Sequence, residues 1–277
     1  MPELPEVETI RRTLKEKIMG REICQVEIFL PSLVNPDEPR GFIEGIVGSC
    51  IHDLGRRGKY LLVKLDNKKV VVINFRMTGR LVFVTDGTDS TSYSKHTHLV
   101  ISFKDGSQLH YMDIRKFGTI RLVGEEDLET CYDLKNLGME PLNPDFTEDR
   151  LAELLANRRK RIKPMLMDQC FIAGIGNIYA DEILFRSAIS PERASNTLTA
   201  QEVKKLHASI VEVLKEAVQH RGTSIRDYVD GEGNSGDFQN ILKVYGREGK
   251  ACSYCSTEIV KMKLGGRSTY FCSCCQK

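Results

Sequence analysis

The segment Cys252-Ser253-Tyr254-Cys255 is followed, after sixteen residues, by Cys272-Ser273-Cys274-Cys275, and together they decide the fold of the C-terminal end of the chain. Two pairs of cysteine thiolates at this spacing suit one tetrahedral Zn²⁺ whose four positions are all filled by the protein. Such a closed site leaves no position for an activated water molecule, so the predicted metal is structural. Other registers that use Cys274 exist, but the Cys-x-x-Cys spacing favours Cys252, Cys255, Cys272 and Cys275 as the four ligands.

The segment around these cysteines is basic. From residue 241 to the end there are seven lysines and arginines against two glutamates, although the net charge of the whole chain is only +2. Between the cysteine pairs, residues 265–269 form a predicted hairpin turn that displays Arg267. A second basic cluster covers residues 158–163. Charge runs are commonly just solvated faces, but either cluster could contact the phosphates of a nucleic acid.

Length and composition indicate an ordinary globular protein. The 277 residues are enough for two domains with separate cores, and 41% of them are hydrophobic and 28% charged. No apolar stretch approaches membrane-spanning length, and the N-terminus has acids where a signal peptide needs basic and then apolar residues. The other five cysteines are scattered, as in a reducing compartment. We therefore expect a cytoplasmic protein.

Upstream of the cysteines, the sequence changes character near residue 134. A first helix has an apolar face made by Val7, Ile10, Leu14 and Met19 and ends at Gly20. Short β-rich runs follow within residues 22–123, at 60–65, 69–74, 81–84, 98–103, 107–113 and 119–123. Strands this short and this evenly spaced predict a sandwich or barrel.

The second half of the chain is predominantly helical. Residues 136–144 contain the Gly and Pro of a linker, and helical patterns follow at 148–156, 164–170, 178–187 and 200–220. The glycine-rich stretch 222–236 is too long for a simple connection and is predicted to be a mobile binding loop. The fold class is therefore α+β. A β domain with an N-terminal helix spans 1–134, a linker 135–147, a helical domain 148–240 and a metal-bound hairpin 241–277.

The N-terminus begins Met1-Pro2-Glu3, which can make the N-terminus itself the reactive group. A small second residue usually allows removal of the methionine, and the free secondary amine of Pro2 could then attack an electrophilic carbon and form an iminium. The positive end of the following helix disfavours the ammonium form of this amine, and Glu3 supplies a nearby carboxylic acid. The alternative is that Met-Pro is a common start and that the carboxylates only complement the helix dipole.

The opening octapeptide Met1–Glu8 resembles the signature of formamidopyrimidine-DNA glycosylases, which are bacterial repair enzymes that excise oxidised purines. Other stretches similar to the family occur along the whole chain. The resemblance implies a β-sandwich domain, a helix–two-turn–helix motif and a zinc finger. It also implies that Pro2 attacks C1′ of a flipped nucleotide while Glu3 protonates the opening sugar ring, and that β- and δ-elimination follow. Lys59 and Arg267 would contact phosphates near the lesion and assist elimination.

The resemblance further implies a set of DNA contacts. The hole that a flipped nucleotide leaves would be filled by Met77, Arg115 and Phe117, and Arg115 would pair with the orphaned cytosine. Without the resemblance, core packing is the default for a Met and a Phe in a β domain. Flipping costs a few kcal/mol of stacking and pairing, so such a wedge is physically necessary. The resemblance implies that His96 also contacts the DNA. The residues alone favour a pair of strand histidines, His96 and His98, whose hydrogen bonds are made within the protein.

The segment 173–182 superficially suggests a nucleotide-binding glycine loop, but Tyr179 stands where a small residue would be needed. It better suits a tight connection with Asn177 at or near a helix N-terminus, where backbone N–H groups can bind a phosphate. The resemblance identifies the helix–two-turn–helix motif here, with Lys163 and Asn177 as phosphate ligands. Arg158, in the second basic cluster, is a further expected DNA contact.

The prediction is therefore a monomeric, bifunctional DNA glycosylase and lyase that acts on duplex DNA containing oxidised bases. Two positions depart from the family pattern, since Asn74 stands where His is usual and Arg221-Gly222 where Gly-Gly is usual. One alternative is an endonuclease VIII-type glycosylase for oxidised pyrimidines, whose typical start has Gly where Leu4 stands. Another is a non-enzymatic, zinc-dependent DNA-binding protein in which Pro2-Glu3 is accidental.

Overall fold

The computed structural model describes residues 1–34, 38–85, 94–156, 158–225 and 227–277. The chain divides into two compact units. The first unit is residues 1–135 with 220–239, and the second is 136–219 with 240–277. Among the helices of the described residues, none is long and apolar enough to cross a membrane.

Among the residues described, the first unit contains two four-stranded antiparallel sheets and two α-helices. The helices are α1 (Leu4–Ile18) and α2 (Pro39–Ile46). The strands are β1 (Ile23–Ile28), β2 (Ile51–Arg57), β3 (Tyr60–Leu65), β4 (Lys69–Asn74), β5 (Gly79–Val84), β6 (Thr97–Phe103), β7 (Gln108–Asp113) and β8 (Thr119–Gly124). One sheet has the order β1-β6-β7-β5 and the other β2-β3-β4-β8.

Both sheets and α1 share one apolar core, as expected for a sandwich. Val7, Ile10 and Leu14 on α1 are fully buried in it, together with side chains from both sheets such as Ile73 and Tyr111. Burial of these side chains, each worth roughly 1.5–3 kcal/mol, is the main term that stabilises the unit.

One predicted member of the helical apolar face is wrong. Met19 is 41% exposed, whereas Ile18 is fully buried and completes the apolar face. The reason is that α1 ends at Ile18, so Met19 already has the non-helical dihedral angles of the cap (φ −58°, ψ 133°) and leaves the apolar stripe.

In the part of the chain that the structure describes, the second unit contains four α-helices and a two-stranded hairpin. The helices are α3 (Glu148–Ala156), α4 (Ile162–Leu166), α5 (Asn177–Arg186) and α6 (Ala200–Gln219), and the hairpin strands are β9 (Val260–Leu264) and β10 (Arg267–Phe271). Helix α4 ends before the predicted residue 170. The side chain of Asp168 accepts a hydrogen bond from the Cys170 amide, 3.1 Å, and so forms a turn instead of continuing the helix.

The segment 220–239 differs from its prediction. We expected residues 222–236 to form a mobile binding loop within the helical domain, whereas residues 220–239 group with the first unit. The Thr223 amide donates to Glu6 Oε1 (2.7 Å), the Tyr228 hydroxyl to the Glu6 carbonyl (3.3 Å), and the Gly231 amide to Thr13 Oγ1 (3.1 Å). These bonds attach the segment to α1, and by its contacts it groups with the first unit, whereas the predicted helical domain runs to residue 240.

Candidate active site and nucleic-acid interface

Pro2 and Glu3 lie at the positive end of α1. Both are buried, and the exposed fraction of Glu3 is only 3%. The Glu3 amide donates to Glu6 Oε2 (2.7 Å), and the Glu3 carbonyl accepts the Val7 amide (3.1 Å) as the first turn closes. Glu6 therefore holds the start of α1 through one carboxylate oxygen and the 220–239 segment through the other. The backbone that would present a free Pro2 amine is fixed by hydrogen bonds on both sides.

Glu8, one turn further along, links α1 to the hairpin that contains Lys59. Its carboxylate accepts hydrogen bonds from Arg11 (2.7 Å), Arg12 (2.8 Å) and Arg56 (3.3 Å). Burial alone would raise the pKa of Glu8, but the hydrogen bonds from Arg11 and Arg12 and the nearby cationic charges together lower it to about 2. The carboxylate is therefore ionised at neutral pH and holds three cations in place.

Lys59 lies in the turn between β2 and β3 and is half-buried. Arg56, besides contacting Glu8, donates from Nη1 to the Gly58 carbonyl (3.0 Å). Gly58 has φ +55°, a left-handed conformation that suits glycine. The turn that presents Lys59 is thus connected through Arg56 to the helix that begins at Pro2 and Glu3.

The three expected wedge residues are on the surface, which is not where core packing would place them. Met77 is 38% exposed and Phe117 52% exposed, and Arg115 is exposed with its guanidinium carbon 4.6 Å from the centre of the Phe117 ring. Single exposed apolar side chains are common, so it is the stacking of exposed Phe117 with exposed Arg115 that favours a binding role here. Since Met77 precedes β5 and the other two follow β7, which pairs with β5, the sheet brings the two loops to the same end of these strands.

His96, His98 and Asn74 lie near the wedge residues and differ in their surroundings. His98 is buried and donates from Nε2 to the Asp113 carbonyl (2.8 Å), whereas His96 is half-exposed and lies just before β6. Asn74, which departs from the family pattern, accepts the Arg76 amide with its side-chain oxygen (3.1 Å). Asn74 therefore supports the loop that contains Met77.

The four predicted zinc ligands are brought together in the second unit. One sulfur atom from each of Cys252, Cys255, Cys272 and Cys275 lies within 4.8 Å of the others, and this is the one such group that the structure shows among the residues it describes. The sulfurs of Cys255 and Cys272 are 3.4 Å apart and those of Cys252 and Cys275 3.9 Å apart. A tetrahedral zinc with bonds of ~2.3 Å needs sulfurs about 3.8 Å apart, so the residues fit the metal. Cys274 is exposed and outside the group.

Lys163 is the clearest departure from the predicted site. We expected it to contact a phosphate, but it is only 1% exposed. Its Nζ pairs with Asp181 (2.8 Å) and donates to the Ser268 carbonyl (2.9 Å) and to Thr269 Oγ1 (2.8 Å). These contacts of the ammonium group all lie inside the protein. In this structure Lys163 fixes the hairpin strand β10, and its burial argues against the predicted phosphate contact.

Asp181 completes this buried network. Its second oxygen accepts the Tyr270 amide (3.0 Å), so the carboxylate contacts β10 directly as well as through Lys163. Burial raises the pKa of the Asp181 carboxyl, and the Lys163 charge opposes that shift. Charges this deeply buried are tolerated only when paired, as these are.

The remaining predicted contacts of the second unit are accessible. Asn177 is the first residue of α5, as predicted, and its side-chain amide donates to the Ser268 carbonyl (3.0 Å). Arg267 is exposed at the start of β10, immediately after the Gly265-Gly266 turn. Arg158 is exposed. The basic cluster around it is partly neutralised, because Lys160 pairs with Asp168 (3.3 Å) and Arg161 with Glu192 (3.4 Å).

Sequence reasoning assigned no role to Glu6, Glu8 or Asp181, which organise these sites. A signal for Glu6 was present, because a glutamate three residues after the helix cap is half of a capping box. Nothing local in the sequence predicts that Asp181 pairs with Lys163, since that pair depends on the tertiary fold.

Comparison with known proteins gives one consistent family. Residues 1–120 match the formamidopyrimidine-DNA glycosylase N-terminal domain, residues 137–229 the formamidopyrimidine-DNA glycosylase H2TH domain, and residues 249–277 a zinc finger found in FPG and IleRS. A formamidopyrimidine-DNA glycosylase of Pelotomaculum thermopropionicum is 48% identical over 277 residues, which is 100% of this chain and 99% of the relative.

Solved structures of complexes with DNA match over the full length. A crystal structure of Lactococcus lactis FPG, a mutant, in complex with Fapy-dG-containing DNA has a TM-score of 0.93 at 39% identity and covers 100% of both chains. A structure of MutM in complex with carbocyclic 8-oxo-G-containing DNA has a TM-score of 0.92 at 39% identity and also covers 100% of both.

Proposed function

The chain belongs to the formamidopyrimidine-DNA glycosylase family, and from that premise we propose that it excises oxidised purines from duplex DNA and then cuts the strand at the abasic site. The observation that best supports this is the joint presence of the family's three domains and of a buried Pro2-Glu3 start at the positive end of α1. The lesion class rests on the relatives, whose solved complexes hold Fapy-dG and 8-oxo-G DNA.

The proposed chemistry begins once Met1 has been removed. The Pro2 nitrogen attacks C1′ of the flipped nucleotide, the bond from C1′ to the base breaks, and the departing base takes up the proton that the Pro2 nitrogen loses. Glu3 then protonates the sugar ring oxygen as the bond from C1′ to that oxygen breaks. The nitrogen and C1′ are then joined as an iminium. Placing the amine at a helix N-terminus favours its neutral, nucleophilic form, because the helix dipole opposes a positive charge there.

Strand cleavage follows from the same intermediate. The iminium draws electrons from the sugar, so a C2′ proton becomes acidic and its loss expels the 3′ phosphate. A second elimination expels the 5′ phosphate, and hydrolysis then frees Pro2. Lys59 and Arg267 are the proposed phosphate contacts that assist these eliminations. Both are cations, and Lys59 is half-exposed while Arg267 is exposed.

The proposed DNA interface uses the exposed side chains described above. Met77 and Phe117 would occupy the space that the flipped nucleotide leaves, and Arg115 would pair with the opposite cytosine. His96, Arg158 and Asn177 remain proposed contacts with the DNA. The single zinc holds the hairpin that presents Arg267, and the Cys₄ ligand set leaves no open position for catalysis.

We further propose that the protein acts as a monomer in the cytoplasm and is associated with the nucleoid through its substrate.

Incubation with lesion-containing duplexes tests the proposed function. Separate duplexes would contain 8-oxoguanine opposite cytosine, an oxidised pyrimidine, or no lesion. The proposal predicts base release and strand cleavage in the first duplex, with both phosphate ends exposed. Faster cleavage of the oxidised pyrimidine would instead favour the endonuclease VIII-type alternative, and binding without cleavage would favour a non-enzymatic DNA-binding protein.

A further inference from the structure

The two wedge loops adopt backbone conformations that side-chain-bearing residues disfavour. Arg76, which precedes Met77, has φ +50°, and Lys116, which precedes Phe117, has φ +58°. Non-glycine residues rarely adopt this left-handed region, so something in the structure must hold each loop there.

The side chain of Asp113, 1% exposed at the end of β7, holds the longer loop. Its Oδ1 accepts the Arg115 amide (3.1 Å), and its Oδ2 accepts the amides of Phe117 (2.9 Å) and Gly118 (2.8 Å). One carboxylate therefore receives three backbone hydrogen bonds from the segment that displays Arg115 and Phe117. Hydrogen bonds to a charged acceptor are roughly twice as strong as those between neutral groups.

The same carboxylate also connects the second loop. Asp113 Oδ1 accepts a hydrogen bond from the hydroxyl of Thr78, the residue after Met77, and Thr78 Oγ1 in turn accepts the Arg115 amide (3.0 Å). Thr78 is itself buried. The hydroxyl thus bridges the two loops, and the positions of Met77 and of Arg115 with Phe117 are set by one network.

The loops have little space to shift inward. A side chain at Gly118 would overlap the buried Tyr111 hydroxyl, and one at Gly79 would come within 2.6 Å of that hydroxyl. The backbone therefore passes close to the Tyr111 hydroxyl at both glycines.

We propose that Asp113, acting through Thr78, is a positioning residue for base replacement: it fixes the two loops so that Met77, Arg115 and Phe117 enter the duplex as one preformed wedge. The proposal rests on the proposed function of these three side chains. Asp113 contacts no DNA in this scheme. Its contribution is to avoid the ordering cost that flexible loops would have on insertion.

The test compares Asp113→Asn with a matched control, Asp105→Asn. Asp105 also accepts the amide two residues further on (Ser107, 3.1 Å), but in the β6–β7 hairpin turn. In Asp113→Asn, an NH₂ group replaces one carboxylate oxygen and cannot accept the hydrogen bonds that this oxygen receives from the backbone amides. We expect its excision of 8-oxoguanine from duplex DNA to fall at least tenfold, with the preference for cytosine over adenine opposite the lesion reduced at least fivefold. Asp105→Asn should stay within about twofold of wild type on both measures.

Cleavage of a single-stranded oligonucleotide with a preformed abasic site provides the internal reference. This substrate needs the Pro2 chemistry but has no opposite base and no stack to fill, so Asp113→Asn should cleave it within about twofold of wild type. Equal losses on both substrates would mean a general structural defect and would overturn the proposal. If wild-type protein cleaves neither substrate, the proposed function fails instead, which is a distinguishable result.

Variants of Thr78 keep the test informative if Asp113→Asn does not fold. Thr78→Ser retains the bridging hydroxyl and should keep the wild-type opposite-base preference, whereas Thr78→Val removes the hydroxyl and should lose that preference at least threefold. Identical behaviour of the serine and valine variants would contradict the proposed bridge.

Discussion

Replacing Lys163 by methionine separates a structural role of this lysine from a role in binding phosphate. Lys163 and Asp181 are each about 1% exposed and 2.8 Å apart. Lys163→Met keeps most of the side-chain volume but leaves the Asp181 carboxylate buried without its cation. Removing one partner of a buried ion pair typically costs about 3–5 kcal/mol, and loss of the bonds to Ser268 and Thr269 adds to that cost. Since whole domains are stable by only about 5–15 kcal/mol, the loss should be large and easily measured.

The assay is urea unfolding of the full chain. Circular dichroism and zinc release monitor the transition, and zinc release reports on the second unit. A double variant, Lys163→Met with Asp181→Asn, removes both charges while Asn can still accept the Tyr270 amide. We expect it to recover more than half of the lost stability. A loss below about 1 kcal/mol in Lys163→Met, or no recovery in the double variant, would refute the reasoning.

The salt dependence of DNA binding provides the second readout, with Arg158→Ala as the matched control. Arg158 is exposed and is a proposed phosphate contact. Losing one phosphate contact lowers the steepness of the plot of log K against log salt concentration by about 0.9. Arg158→Ala should show this decrease, whereas folded Lys163→Met should keep the wild-type slope. A less steep salt dependence for Lys163→Met would instead support the phosphate contact that the sequence predicts.

Three further predictions concern the wedge, the zinc site and pH. Arg115→Ala should reduce the preference for cytosine over adenine opposite 8-oxoguanine by about one to two orders of magnitude, since a paired guanidinium contact is worth roughly 1–3 kcal/mol; excision rates against all four bases measure this, and an unchanged order would remove Arg115 from the wedge. Cys272→Ser should lose zinc and DNA binding while Cys274→Ser retains both, measured by metal content and gel shift; an essential Cys274 would overturn the ligand assignment. The folded pKa of Glu8 lies below its ordinary value, so it stabilises the fold above pH about 4.5, and that contribution, up to about 3 kcal/mol, is lost as the pH falls toward about 2. Glu8→Gln should show a flatter stability profile across this range in acid unfolding, and an identical profile would contradict the ion cluster.

The regular elements were largely predictable from local pattern. The strands at 60–65 and 69–74 and the helix at 148–156 have the predicted bounds, because each coincides with a continuous β-branched or amphipathic run. The zinc ligands were predictable for a similar reason, since their spacing alone specifies a closed site. Strand β1 and helix α2 were not individually predicted. The strand sequence shows no clear alternation, and the helix is short and contains Gly41 and Gly45, which have low helix propensity.

The features that failed depend on distant partners. The 220–239 segment looks like a polar loop in sequence, and only the fold shows Glu6 and Thr13 of α1 as its hydrogen-bond partners. Lys163 lies in a basic run, which suggested phosphate, but burial against Asp181 could not be read from charge patterning. Phe117 is a further case, since its residue type alone favours a core position, whereas its side chain is 52% exposed.

The central claim is that the amine of Pro2 is the nucleophile, and reductive trapping tests it most directly. Two preparations of the same chain, with Met1 removed and with Met1 retained, would be checked by intact mass. Each would then be incubated with an 8-oxoguanine duplex and borohydride, which reduces an iminium to a stable covalent adduct. We predict that the first preparation is trapped on the DNA and that retention of Met1 abolishes trapping. Undiminished trapping of the preparation that retains Met1 would show that another residue is the nucleophile.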